Sequence, residues 1–264
     1  MHFRSGRLRL HALRFAGGEG RDLVVVPGIT TPAASFASTA TRLAALAGVG
    51  SVHVLDMRGR GLSEKSGFGS HRTADYAEDV LALIESAGLD RPVLVGHSLG
   101  GRVVADARVR FPGCSAGVVV IDPPVSGPGR APYPIPLERM LNGVQQARAG
   151  RGREQARLDY PGWSEDQVRE RGDWLGSCDE AAVVEGYAWF HLEPFEPTWQ
   201  MVPAPVLLLV GDESPVVRPE SAELLAALNR QASVVSVPGC GHMVPWDNTD
   251  RTISEIGSFL AALG

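Results

Sequence analysis

The sequence predicts an α/β fold: a mostly parallel, eight-stranded sheet flanked by helices. Three observations carry that reading. Short β-type runs alternate with amphipathic segments, which is the order of a sheet built by helical crossovers. The runs are continuous in Val, Leu and Ile rather than alternating with polar residues, so the strands are expected to be covered on both faces. One long interval, 123–202, lacks any such run and interrupts the rhythm once.

Leu8–Phe15 does alternate, and with the first few residues it is expected to form an antiparallel hairpin at the sheet edge. Leu23–Val26 is a buried strand ending at Pro27-Gly28, followed by a helix over Ser35–Ala47. Strand Val52–Leu55 ends at Asp56 and leads to a helix over Thr73–Ala87. Strand Val93–Val95 feeds a Gly-rich turn and a helix over Leu99–Phe111, which Pro112-Gly113 stops. Val118–Ile121 ends at Asp122. Then comes the interval, with a proline-rich opening over 123–134 and polar helical segments bearing Trp163, Trp174, Trp189 and Trp199. Beyond it, Val206–Val210 ends at Gly211, a helix covers Glu220–Leu228, Ser233–Val237 ends at Pro238-Gly239, and a helix spans Asp250–Leu263. Because the interval lies inside the strand series, it reads as a helical lid inserted after the sixth strand. The core is then 1–122 and 203–264, and the lid 123–202.

The composition fits a globular, water-facing protein: 264 residues, 44% hydrophobic, 21% charged, net charge −5. No basic cluster favours nucleic acid, and no apolar run approaches a membrane span, so neither is an expected partner. The first residues lack the apolar core of a secretory signal. Cys114, Cys178 and Cys240 are odd in number and widely spaced, which suits a reducing cytoplasm better than a disulfide frame or a zinc site. No metal or other cofactor is expected.

The chemistry gathers at Gly96-His97-Ser98-Leu99-Gly100-Gly101. A Ser between glycines, after a strand and before a helix, is the nucleophile-elbow pattern. Read blandly, it is a Gly-rich turn with an incidental Ser; the partners elsewhere in the chain weigh against that. A Ser hydroxyl is a weak nucleophile and needs a base. His242, in the loop past the last strand, is the candidate. Of the other histidines, His97 and His53 read as packed, and His2, His11 and His71 as surface residues. The third member is open on the residues alone. A G-x-x-D pattern after Val206–Val210 would supply the acid, but Gly211-Asp212-Glu213-Ser214 puts Ser214 there. Asp122 is the stronger candidate, at the C-terminal edge of its strand where active groups gather; Asp212 and Glu213 are the alternatives. Oxyanion donors are expected from the Leu99 amide and from Ile29, in the loop after Leu23–Val26. Asp56-Met57-Arg58-Gly59-Arg60-Gly61-Leu62-Ser63 reads as scaffold, with Asp56 and Arg58 as an ion pair. Arg102, Arg130, Tyr133 and Arg169 are candidates to hold a substrate carboxylate, with His191 and Trp246 as further candidate contacts.

With these residues placed, the chain resembles the α/β-hydrolase superfamily over nearly its whole length. The elbow, the Asp56–Ser63 loop and Gly241-His242-Met243-Val244-Pro245-Trp246 carry the likeness. Pro27-Gly28-Ile29-Thr30-Thr31-Pro32-Ala33, the stretch from Asp122 to Arg130 and Trp163-Ser164-Glu165-Asp166-Gln167 are similar, more narrowly, to the N-formylmaleamate deformylases of nicotinate degradation. Those carry S-M-G-A where this chain has Ser98-Leu99-Gly100-Gly101. The resemblance implies an α/β-hydrolase fold and a Ser98, Asp122 and His242 triad. It also implies cleavage of a small, anionic N-acyl amide substrate through an acyl-enzyme. An (E)-2-(acetamidomethylene)succinate-type amidohydrolase, a general carboxylesterase and a non-catalytic ligand-binding homologue are the competing expectations.

Overall fold

A computed structural model describes residues 1–264. Eight strands form one sheet: β1 (His2–Ser5), β2 (Leu8–Ala16), β3 (Gly20–Val26), β4 (Gly48–Asp56), β5 (Val93–His97), β6 (Gly117–Ile121), β7 (Val206–Gly211) and β8 (Ala232–Val237). Their spatial order is β1-β2-β4-β3-β5-β6-β7-β8. β1 and β2 form the expected antiparallel edge hairpin; from β4 onward every pairing is parallel.

The strand side chains alternate between two cores, as a pleated strand requires. Val24, Val26, Leu94, Val118, Val120 and Leu208 face one core. Leu23, Val25, Val93, Val95, Val119 and Leu207 face the other. Helices cover both: α2 (Thr73–Ala87) and α3 (Leu99–Arg110) on the first side, α1 (Ala37–Ala44) and α11 (Thr249–Ala261) on the second. The first helix is shorter than expected, because Ala33–Phe36 winds as a 3₁₀ turn before α1 starts. α9 (Pro219–Leu228) and the single turn α10 (Val244–Asp247) complete the set around β7 and β8. Between β6 and β7 lie α4 (Leu137–Arg148), α5 (Gly152–Asp159), α6 (Glu165–Trp174), α7 (Glu180–Leu192) and α8 (Glu196–Met201). No helix is long and apolar enough to cross a membrane.

Three expectations about scaffold residues are corrected. His11 and His71 are buried, not superficial. Each gains a carboxylate partner distant in sequence: His11 Nδ1 lies 2.8 Å from Asp56 and His71 Nδ1 2.7 Å from Glu185. Asp56 and Arg58 do not pair with each other. Asp56 accepts the Ala33 and Leu62 amides, while Arg58 makes a two-pronged ion pair with Asp79 on α2. Strand β4 ends at Asp56, so period-2 alternation no longer governs Arg58, and the loop carries its guanidinium to α2.

Strand β5 turns into helix α3 within one residue, and that turn needs two bare glycines. A Cβ on Gly100 would sit 1.8 Å from the Val26 carbonyl oxygen, and one on Gly96 would sit 2.1 Å from the Gly100 carbonyl oxygen. Both contacts are with backbone, which cannot swing aside. Gly100→Ala is therefore expected to cost at least about 3 kcal/mol of stability, measured by urea unfolding. A variant as stable as the parent would show that the turn is not this tight.

Candidate active site

Parallel pairing of β5 with β6 sets His97 opposite Ile121. The next residue on each strand, Ser98 and Asp122, therefore emerges side by side at the same sheet edge. Both bend sharply there: φ is 55° at Ser98 and 45° at Asp122. Only three non-glycine residues of the chain have positive φ, and these are two of them. Such backbone costs about 1–3 kcal/mol per residue and persists where the surroundings over-determine it. The surroundings do so here: Ser98 N–H donates to the Ile121 carbonyl (2.9 Å) and Asp122 N–H to the Leu209 carbonyl (2.8 Å).

His242 arrives from the loop between β8 and α10. Its Nε2 is 3.0 Å from Ser98 Oγ, and its Nδ1 is 2.7 Å from Asp122 Oδ2. Asp122 is fully buried and collects two further donors, the Gly211 amide at 3.2 Å and the Ser214 hydroxyl at 2.6 Å. An acceptor-only carboxylate at Nδ1 places the imidazole proton there. Nε2 is left as the acceptor for the Ser98 hydroxyl proton. Ser214 thus stands at the position where the G-x-x-D pattern would put an acid, and it supports Asp122 instead. Asp212 faces away and accepts the Cys240 amide, and Glu213 is exposed.

The Leu99 amide, at the first position of α3, and the Ile29 amide, in the loop after β3, donate to nothing within the chain. A helix start leaves such N–H groups free and adds partial positive charge. Ile29 lines a cavity of about 320 Å³ together with Ser98 and His242, and Leu99 follows Ser98 directly in the chain.

His97 is indeed packed. Its Nε2 donates to the His242 carbonyl at 2.8 Å, and its ring lies 5.0 Å from that of His242 and 5.4 Å from Trp246. Burial, and the His242 ring beside it, pull its imidazole down to about 3. Unfolded, the same ring titrates near about 6.5. Between those values the unfolded chain holds one more proton than the folded one, so stability drops as pH falls, by about 1.4 kcal/mol per pH unit. Replacing the ring removes that term. The stability gap between wild type and His97→Asn, read by urea unfolding, is expected to shrink by about 2 kcal/mol from about pH 7 to about pH 5. A gap that stays constant would mean the ring titrates normally in the fold.

The remaining candidates divide. Tyr133, between β6 and α4, lines the cavity, is buried, and brings its hydroxyl to 3.4 Å from His242 Nε2. His191 on α7 does not line the cavity; its Nε2 accepts the Tyr133 amide at 3.1 Å and fixes that residue. Trp246 is buried against Phe36, His97 and Trp163 and also stands outside the cavity wall. Arg102 lies outside it too, donating to the Glu193 carbonyl with its guanidinium over Phe190 and Phe195. Arg130 pairs with Glu196 and Arg169 with Asp166, both at the exposed surface.

The guanidinium groups that do line the cavity are Arg139 on α4 and Arg171 on α6. Arg139 is held by Asp159 at 2.9 Å. Arg171 has no carboxylate partner and donates to the Thr30 carbonyl and hydroxyl at 2.6 and 3.0 Å. The sequence of α6 carries no signal that singles out Arg171. Val168 and Gly172 are the buried positions of the helix, and Arg169 and Arg171 flank that face symmetrically, so helical spacing alone does not choose between them.

The chain matches the family model described as the alpha/beta hydrolase family over residues 23–255. It is 36% identical to an N-formylmaleamate deformylase of Pseudomonas putida, over 96% of this chain and 93% of that one. A crystal structure of an N-formylmaleamic acid deformylase from Pseudomonas putida S16 superposes with a TM-score of 0.87 at 32% identity, covering 95% of this chain and 97% of that one. It is also 28% identical to a 2-(acetamidomethylene)succinate hydrolase of Mesorhizobium japonicum, over 93% of this chain and 90% of that protein.

Proposed function

The chain belongs to the alpha/beta hydrolase family, and from that premise we propose that it hydrolyses N-formylmaleamate to maleamate and formate. One observation carries the reading. The hydrogen-bonded chain Ser98–His242–Asp122 opens onto a small cavity that also holds Arg139 and Arg171. The first part suits acyl transfer, and the second suits an anionic substrate.

In this reading Ser98 Oγ attacks the formyl carbon while His242 Nε2 takes its proton. The Ile29 and Leu99 amides receive the negative oxygen of the tetrahedral intermediate. His242 then delivers the proton to nitrogen, the C–N bond breaks, and maleamate departs from a formyl-Ser98 ester. Water, deprotonated by His242, attacks that ester; formate leaves and the proton returns to Ser98. Asp122 stays ionised throughout and stabilises the imidazolium. Arg171 takes the substrate carboxylate, since it is the cavity cation without an acidic partner. Residues 123–202 act as the lid over the core formed by 1–122 and 203–264. No step calls on a metal, a nucleic acid or a membrane. The three free cysteines support a place in the cytoplasm.

Purified protein incubated with N-formylmaleamate is expected to release formate and maleamate in equal amounts, with acetylated analogues turned over more slowly. Rapid hydrolysis of p-nitrophenyl acetate with no formate from N-formylmaleamate would make the protein a general esterase instead.

A further inference from the structure

The mechanism leaves one polar group at the reacting centre without work. The Tyr133 hydroxyl lies 3.4 Å from His242 Nε2 and against the Ser98 side chain. Burial pushes its phenol well above the usual range, so it stays protonated. A hydroxyl carries one proton and two lone pairs. With its proton turned to Ser98 Oγ, a lone pair of Tyr133 Oη faces the cavity.

His242 Nε2 defines where the leaving atom must be. To receive a proton from it, that atom comes within about 3 Å, which brings it alongside Tyr133 Oη. An amide nitrogen arrives with its own N–H; an ester oxygen does not. Beside the buried Ser98 and Tyr133 that N–H needs an acceptor, and leaving it unpaired raises the barrier. The carboxylates lining the cavity are already engaged: Asp159 with Arg139, and Asp247 with the Gly241 amide and the Trp163 indole. Tyr133 Oη is also held in place. Its ring packs edge-on to Tyr187 at 6.0 Å and against Phe190 at 4.8 Å, and its amide is tied to His191.

We propose that Tyr133 Oη accepts the scissile N–H of the substrate as the C–N bond breaks, and so sets this site to cleave amides ahead of esters. This rests on the hydrolytic reading above. No atom is exchanged in the step: the proton that reaches nitrogen comes from His242, and Tyr133 only accepts a hydrogen bond.

The test compares wild type and Tyr133→Phe on N-formylmaleamate and on the pair 4-nitroformanilide and 4-nitrophenyl formate. The variant is expected to lose roughly ten- to a hundred-fold in kcat on the amides. KM and turnover of the ester should change by less than about threefold. Fluorophosphonate labelling of Ser98 at the wild-type rate reports that the variant folds. Should it not fold, the wild type alone decides, by comparing 4-nitroformanilide with its N-methyl counterpart, which lacks the N–H. The proposal expects the N-methyl compound to be slower by roughly tenfold or more, and equal rates would overturn it. Equal loss on amide and ester would make Tyr133 a residue that only orients Ser98 and His242. No loss on either would leave it without a role. Formate release from N-formylmaleamate with an unchanged amide-to-ester ratio in Tyr133→Phe overturns this inference alone. A wild type that cleaves the ester and neither amide overturns both readings.

Discussion

Ser98→Ala is expected to lower kcat by about four to six orders of magnitude while substrate still binds. The argument starts from the proton inventory. In the proposed mechanism, removing Oγ takes away the atom that forms the acyl-enzyme and the proton that goes to His242 Nε2, 3.0 Å away. No other nucleophile can substitute. No cysteine lines the cavity, and burial holds Cys178 up at about 11 and Cys240 at about 12, far from thiolate. In the same mechanism the residual rate would come from the Ile29 and Leu99 amides and from His242 acting on water directly. Binding persists because Arg139 and Arg171 lie across the cavity, on the helices inserted after β6. The backbone is unaffected in kind, since Ala tolerates the φ of 55° no worse than Ser. The measurement pairs formate release with calorimetric titration of N-formylmaleamate. Substantial residual activity, above about 1% of wild type, would place the nucleophile elsewhere.

What the sequence makes legible, and what it hides, follows from the range of the forces involved. The strands and most helices are local: continuous apolar runs and helical spacing mark them to within a few residues, and Thr73–Ala87 matches α2 end to end. The elbow is largely local too, because the close approach of Gly96 to the Gly100 carbonyl falls within five residues, although Gly100 itself is pressed by the distant Val26 carbonyl. Asp122 is only partly local. Its end-of-strand place is visible, but its choice over Asp212 depends on the β6–β7 register, which sets Ile121 beside Leu209 and lets Ser214 reach Asp122. The cavity cations are not local at all. Arg130 and Arg169 look as suitable as Arg139 and Arg171 in one dimension, and only the packing of α4, α5 and α6 on one another brings the second pair to the cavity wall, Arg139 with most of its side chain still exposed. His11 and His71 illustrate the same limit. Their partners Asp56 and Glu185 lie 45 and 114 residues away, so a histidine that reads as superficial becomes a buried hydrogen-bonding group.

Asp122→Asn separates charge from shape, and it is expected to lower kcat by about four orders of magnitude near neutral pH. Asn fits the same space, so the effect is a matter of hydrogens. Asp122 accepts from the Gly211 amide through one oxygen and from Ser214 and His242 through the other. An Asn that keeps its carbonyl on Gly211 turns its NH₂ toward His242 Nδ1. His242 must then accept at Nδ1 and carry its proton on Nε2, where it can no longer take the Ser98 proton. The imidazolium also loses its buried counter-charge. Asp212→Asn is the control: its carbonyl still accepts the Cys240 amide, and turnover should stay within about threefold of wild type. A large loss in Asp212→Asn with a small one in Asp122→Asn would reverse the assignment of the acid. The register makes a sharper test available. Ser214 Oγ is 2.6 Å from the Asp122 oxygen that His242 engages, so a carboxylate at position 214 reaches the same nitrogen from β7. Asp122→Asn combined with Ser214→Asp should therefore regain part of the lost rate, whereas Ser214→Asp added to wild type should not raise it, because two carboxylates would then compete in one buried pocket. Recovery of formate release in the double variant would show that His242 needs a negative charge at that point in space, whichever strand supplies it.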